Sequence, residues 1–222
     1  MSNSVPKALA AIVLCGGKST RMGFDKSQLV FGNGKQQTTF LTRIVSEIAD
    51  QVQEIVVVCD ASHTQQHSEL PENVVVTHDR VPGRGPLEGI AAGLAAMSAN
   101  IEAAFVTSCD VPGIRGAIIP QLAAELGDYE AIVPIDRPRI YGLTAIYRRT
   151  VLAKLDELIA RDQLRVSEII QHIHAKEVSI DLLQSVDPAL NSLANINTLD
   201  DYKTLAKRVG FPVPPELDSG PN

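Results

Sequence analysis

The sequence predicts an α/β protein built on a single doubly wound, mostly parallel sheet with helices on both faces. Three observations carry this. Short, continuously apolar runs recur along the chain, stretches of helical period separate them, and glycine, proline and charge collect just after the runs. An apolar run without alternation suits a strand covered on both faces, as inside a parallel sheet sandwiched between helices. Strand–helix alternation then gives right-handed crossovers.

The amino end, Met1–Lys7, is expected to fray before the first strand, AAIVLC (Ala10–Cys15). In Phe40–Asp50, the side chains Phe40, Leu41, Ile44, Val45 and Ile48 share one helical face. EIVVVC (Glu54–Cys59) and VVVT (Val74–Thr77) are the next strands, and Leu87–Met97 the next helix. AAFVTS (Ala103–Ser108), a helix over Ile114–Leu126, AIVPI (Ala131–Ile135), LTAIY (Leu143–Tyr147) and a helix over Val151–Ala160 follow. Phe211–Asn222 contains four prolines and Gly220, which oppose regular structure, so this stretch reads as a tail. No repeat or linker divides the remainder, which leaves one domain over residues 1–210.

The chain has 222 residues, 45% of them hydrophobic, which is enough to bury a core without disulfides or metal staples. Lys and Arg total 20 against 26 Asp and Glu, a net charge of −6 that argues against a nonspecific nucleic-acid surface. Aromatics make up only 4% and Trp is absent, so stacking platforms for single strands are not expected either. The apolar stretch Ala8–Leu14 is too short for a secretory signal and runs directly into glycines. No segment approaches the ~18 apolar residues that span a bilayer. Three cysteines without CxxC spacing fit reduced thiols, and the expected location is the cytoplasm.

In an open α/β sheet the ligand lies beyond the carboxyl ends of the strands. The first such segment is LCGGKSTRMGFDKSQL (Leu14–Leu29). Gly16, Gly17 and Gly23 let the backbone turn and approach a ligand closely. Lys18, Arg21 and Lys26 against Asp25 leave a local charge of 3 − 1 = +2 within an acidic chain. Backbone N–H groups with converging cations cradle anions, and a guanidinium grips phosphate oxygens in pairs. The spacing matches neither the Walker A loop nor the G-x-G-x-x-G fingerprint. TSCDVP (Thr107–Pro112) sets Asp110 just past a buried strand, where its oxygens suit Mg²⁺; an Asp in a turn also accepts backbone N–H, so this residue alone fits either role. Asp79 follows the third strand in HDRVPGRGPLEGI (His78–Ile90) and is open to the same two readings, a ligand contact or a turn or cap residue; Pro86 suits a helix start.

The first loop resembles the signature L-x-G-G-x-S-x-R-M-G-x-x-K of nucleotidyltransferases that join a nucleoside monophosphate to a phosphorylated acceptor. RGPLEGIAAGL (Arg84–Leu94), TSCDVP and NINTLDDY (Asn195–Tyr202) extend the resemblance over nearly the whole chain, and toward the molybdenum cofactor guanylyltransferases in particular. The resemblance implies a Rossmann-like nucleotidyltransferase fold and transfer of GMP from GTP, with Mg²⁺, to the terminal phosphate of molybdopterin, releasing pyrophosphate. It implies nucleotide binding by Leu14, Cys15, Gly16, Gly17, Lys26, Asp79, Gly85, Pro86, Leu87 and Asp110. Catalytic work falls to Lys26, Arg21 and Asp110, metal binding to Asp110. Asn195 and Asn197 would border the acceptor, their mixed donors and acceptors matching a pterin edge, although Asn197 or Thr198 also suits a helix cap. Proteins that deliver the cofactor, or molybdoenzymes awaiting it, are the implied partners.

Gly16-Gly17 and Gly-Pro-Leu favour GTP, because cytidylyl-transferring relatives tend to carry Ala-Ala-Gly where this chain has Cys15-Gly16-Gly17. Cys15 departs from the family's usual Ala, and Cys59 stands near a position that is commonly polar. Cytidylyl transfer, nucleotide-sugar synthesis and a nonenzymatic nucleotide-binding role remain the alternatives. His63 and His67 have i, i+4 spacing without the Glu of H-E-x-x-H and read as an exposed helix; His172 and His174 also read as surface residues.

Overall fold

Seven apolar residues, Leu9–Cys15, form β1, the centre of the main sheet. The computed structural model describes residues 8–16, 30–31, 38–59, 70–71 and 74–210. A short antiparallel pair, β2 (Val30–Phe31) and β3 (Thr38–Thr39), leads into α1 (Phe40–Ile48). Thr39 caps α1, its hydroxyl accepting from the Thr42 N–H at 3.2 Å. Phe40, Leu41, Ile44, Val45 and Ile48 are buried, the face the sequence periodicity marks.

β4 (Glu54–Cys59) runs parallel to β1 and pairs Val57 with Val13, and β5 (Val74–His78) runs parallel to β4 at the edge. α2 (Pro86–Ala96) begins on Gly85, whose φ of 72° lies where glycine is favoured, with Pro86 in the first turn. Leu87 through Leu94 are all buried between sheet and solvent layer. The helix packs so closely on β1 that a methyl added at Gly93 would sit 2.5 Å from Ile12 Cγ2. β6 (Ala103–Ser108), fully buried, lies parallel on the other side of β1.

α3 (Ile118–Ala124) is shorter than the expected Ile114–Leu126. Pro120 explains the late start, because proline is accommodated only in the first turn of a helix. β7 (Ala131–Asp136) folds back on β8 (Arg139–Ile140), and β9 (Ala145–Arg148) inserts antiparallel between β6 and β7. The sheet order is β10-β7-β9-β6-β1-β4-β5, so the sheet is mostly parallel with one reversed strand in its interior. α4 (Leu152–Ala160), α5 (Val166–His172), β10 (Ala175–Ser179, parallel to β7), α6 (Asp181–Gln184) and α7 (Leu199–Val209) complete the described chain.

Two apolar layers cover the sheet. Ala11, Val13, Val57 and Phe105 face α1 and α3, and Ala10, Ile12, Val56 and Val106 face α2 and α4. A third, small cluster joins Phe40 of α1 to Ile196 and to Tyr202, Leu205 and Ala206, the last three on α7. No helix among the described residues is long and apolar enough to cross a membrane. The expected tail, residues 211–222, lies outside the described residues.

Candidate active site

The parallel strands β1, β4, β5 and β6 end together, so Gly16, Asp79 and Asp110 emerge at one edge of the sheet. Gly16 follows β1 and is exposed. The Asp79 N–H donates to the Cys59 carbonyl at 3.2 Å, extending the ladder by one rung beyond β5. Its carboxylate lies between Gly16 and α2: a methyl at Gly16 would be 3.8 Å from Oδ2, and one at Gly89 would be 3.6 Å from Oδ1. Leu14 and Leu87 are buried beneath this edge, while Gly85 is exposed and Pro86 half-buried. Gly17, Arg21 and Lys26 lie outside the described residues, as do His63 and His67.

The loop between Asp79 and α2 is held by a buried carboxylate. Glu88, 1% exposed, accepts the Arg80 N–H at 3.1 Å and Arg80 Nε at 2.8 Å, both on Oε1. Arg80 Nη1 also reaches Asp156 of α4 at 2.8 Å. The hydrogen bond from Arg80 to Glu88 is the main reason the guanidinium pKa stands above its ordinary value. Glu88 was not expected at the site; its signal in the sequence is a charge inside an otherwise apolar helix.

Asp110 sits in the turn after β6 and is half-buried. One carboxylate oxygen accepts from the Ser108 hydroxyl, and the other accepts from Asn195 Nδ2 at 3.2 Å. The Asp110 carbonyl accepts the Ile196 N–H at 2.8 Å, so the Asn195–Thr198 segment is tied to the turn by side chain and backbone together. Arg43 of α1 donates from Nε to the Pro112 carbonyl at 2.8 Å and braces the turn from below; burial lowers its pKa from the ordinary value. Asn195 is therefore at the Asp110 carboxylate. Asn197 belongs to a helix start, its N–H donating to Asp201 Oδ2 at 3.0 Å. The cap itself is Thr198, in a reciprocal box with Asp201.

The carboxylate suits a hard divalent ion that keeps most of its own waters, since each Asp110 oxygen retains lone pairs beyond the one bond it accepts. Among the described residues no group of three His, Cys, Asp or Glu is arranged to hold a metal ion by itself. His172 and His174 are exposed, and the His174 ring packs on Tyr129 with centroids 4.6 Å apart. His78 Nε2 is buried and has no hydrogen-bond partner among the described residues. Cys15, Cys59 and Cys109 share the edge as free thiols; hydrogen bonds to Cys109 and Cys59, then burial, hold the Cys15 thiol well above the ordinary thiol pKa.

A glycine directly after the central strand, two carboxylates from strand ends on the same edge of the sheet and a helix starting on Gly-Pro-Leu are the layout of a nucleotidyltransferase, and the chain is one. A family model described as the MobA-like NTP transferase domain matches residues 11–177. The chain belongs to this MobA-like family. It is 32% identical over 209 residues to a probable molybdenum cofactor guanylyltransferase of Chloroflexus aggregans, covering 91% of this chain and 95% of that one. A protein of the same name from Bacillus cytotoxicus is 32% identical over 201 residues, covering 90% and 96%. The crystal structure of molybdopterin-guanine dinucleotide biosynthesis protein A from Archaeoglobus fulgidus shares the fold, with a TM-score of 0.77, 21% identity and coverage of 90% and 98%.

Proposed function

We propose that the protein transfers GMP from GTP to the terminal phosphate of molybdopterin, forming a guanine dinucleotide cofactor and releasing pyrophosphate. The names of the relatives at 32% identity supply the reaction. The observation that carries it is the bond from Asn195 to Asp110, which joins the segment expected to meet the acceptor to the carboxylate expected at the nucleotide.

An acceptor phosphate monoester is already anionic, so no strong general base is required. One of its oxygens attacks the α-phosphorus in line, a new phosphoanhydride bond forms, and the bond to the β-phosphate breaks with its electrons on pyrophosphate. The protein's work is positioning and neutralising charge. Asp110 would hold Mg²⁺, which when bound offsets the phosphate charge. Ser108 and Asn195 keep the Asp110 carboxylate aimed at the edge. Asp79 stands beside the glycine turn and the start of α2 and would bind the nucleoside. Lys26 and Arg21 would grip the phosphates, and Asn195 would meet the acceptor. The reaction belongs in the cytoplasm.

Pyrophosphate release measured with GTP, Mg²⁺ and molybdopterin tests the proposal. Release with GTP is expected to exceed release with CTP or UTP by at least ~100-fold. Preference for CTP would transfer the reading to cytidylyl chemistry. GTP binding without release would leave a nucleotide-binding protein and overturn catalysis.

A further inference from the structure

Three thiols stand side by side on one face of the central strands. Cys59 and Cys15 are register partners in β4 and β1. On the other side Leu14 pairs with Ser108, and the Cys109 N–H donates to the Leu14 carbonyl at 2.9 Å, so the next position beside Cys15 is Cys109. Cys59 is 1% exposed, whereas Cys15 and Cys109 are half-buried. The pair that solvent reaches is therefore Cys15 and Cys109. The absence of any metal-holding triad among the described residues separates this row from a thiolate metal centre.

We propose that Cys15 and Cys109 form a reversible disulfide that switches the active site off when the thiol pool is oxidised. The oxidant is a small-molecule disulfide of the glutathione type. Cys109 makes the first attack, because its thiol neighbours and burial keep Cys15 protonated: the Cys109 sulfur, its proton passing to solvent, bonds to one sulfur of that disulfide, forming a mixed disulfide, and expels one small thiol. The second cysteine attacks the protein sulfur of the mixed disulfide and expels the other. Two protein thiols and one small disulfide become one protein disulfide and two small thiols, with electrons and protons balanced.

Geometry makes the bond both possible and disruptive. Neighbouring strands lie about 4.8 Å apart, inside the ~4.4–6.8 Å Cα range of disulfides. Side chains directly abreast keep their Cβ atoms near that same spacing, whereas a disulfide draws them to about 3.8 Å. The cross-link must swing the two Cβ atoms toward each other by roughly 1 Å, which rotates the ends of β1 and β6. Gly16 follows Cys15 directly, and Asp110 follows Cys109 directly, so the pull acts on the glycine turn and the carboxylate together. A displacement of that size in reacting groups costs about 100-fold in rate. A strained link of this kind is also easily reduced, as a switch requires.

The loss of activity rests on the function proposed above; the cross-link does not, and mass spectrometry reads it independently. The full chain is equilibrated with glutathione disulfide, digested without reductant and mapped. The expected result is a linked Cys15–Cys109 peptide pair, a fall in pyrophosphate release of about 100-fold and its return with dithiothreitol. Cys59→Ser should still form the link, and Cys109→Ser should not. No linked pair, or a dominant Cys15–Cys59 pair, would overturn the proposal. So would a fall in release of the same size in Cys109→Ser. Absence of pyrophosphate release from the reduced chain would count against the proposed function alone.

Discussion

Asn195 Nδ2 donates to Asp110 Oδ2 at 3.2 Å across a separation of 85 residues. The Ile196 N–H adds a second tie, to the Asp110 carbonyl at 2.8 Å, so the turn after β6 and the segment before α7 are joined at two points. Ser108 completes the support of the carboxylate from the strand side. The carboxylate's direction is thus set by residues from two distant stretches of chain.

Asp110→Ala and Lys26→Ala should each lower pyrophosphate release by at least ~100-fold, through loss of charge neutralisation at the phosphates. Asn195→Ala should cost less, about 10-fold, because it loosens the carboxylate without removing it. Steady-state rates with GTP and Mg²⁺ check all three. Near-normal rates for Asp110→Ala would remove that residue from the machinery.

Arg80 and Glu88 make an unequal pair, one 41% exposed and the other 1%. Arg80→Ala strands a buried carboxylate and should destabilise the protein by about 2 kcal/mol, reduced from the full cost of a broken buried pair by Arg80's exposure. Glu88→Gln keeps an acceptor for the Arg80 N–H and should cost about 1 kcal/mol. Urea unfolding separates the two. Arg80 follows Asp79 directly, so Glu88→Gln should also raise the KM for GTP about tenfold with kcat nearly unchanged.

Gly93→Ala sets two effects against each other. Helix propensity gains about 1 kcal/mol, but the added methyl would lie 2.5, 2.9 and 3.0 Å from three atoms of the fully buried Ile12. Overpacking of that kind costs about 1–3 kcal/mol, so the net is destabilising. A calorimetric Tm lower by about 2–6 °C is expected, and an unchanged or higher Tm would show that Ile12 yields freely.

The Tyr147 hydroxyl donates to the Gly142 carbonyl at 2.8 Å in a fully buried setting, and burial pushes its pKa well above that of a free phenol. Ionisation is therefore easier in the unfolded chain. The stabilisation is complete below pH ~10 and is lost as pH rises above that value toward the folded pKa, by up to about 1.4 kcal/mol per pH unit. Tyr147→Phe should be less stable at pH 8 by about 1 kcal/mol, yet lose stability less steeply from pH 10 upward. Tyr202, raised by burial as well, keeps a residual slope. Urea midpoints across that range decide it.

The strands buried on both faces were legible from sequence because nothing but apolar side chains survives there: β1, β4 and β6 match the expected runs to within a residue. Direction was not, since an apolar run such as that ending at Tyr147 reads the same parallel or antiparallel, and β9 proves reversed. β10 escaped notice because its sequence, AKEVS, is that of a polar edge strand with only Val178 buried. Gly16, Asp79 and Asp110 emerge at one edge because each follows a recognisable parallel strand. The supports of this turn were hidden, because Arg43 reaches the Pro112 carbonyl and Asn195 the Asp110 carboxylate only through tertiary packing. Thr198 rather than Asn197 takes the cap because its hydroxyl meets the Asp201 N–H at 3.1 Å.

The small cluster of Phe40, Ile196 and Tyr202 bears on how the site is completed. Phe40 and Tyr202 stack with ring centroids 6.1 Å apart, and Ile196 beside them is bonded to Asp110. The chain through the turn after β6 holds Gly16, both carboxylates and the Ser108 support, but not Asn195 and Ile196, which complete the hold on Asp110. The docking of α7 on α1 holds Ile196, and with it Asn195, against the turn. Under the proposed function, the last helix of the described chain is thus what completes the acceptor side of the site, through its packing on α1.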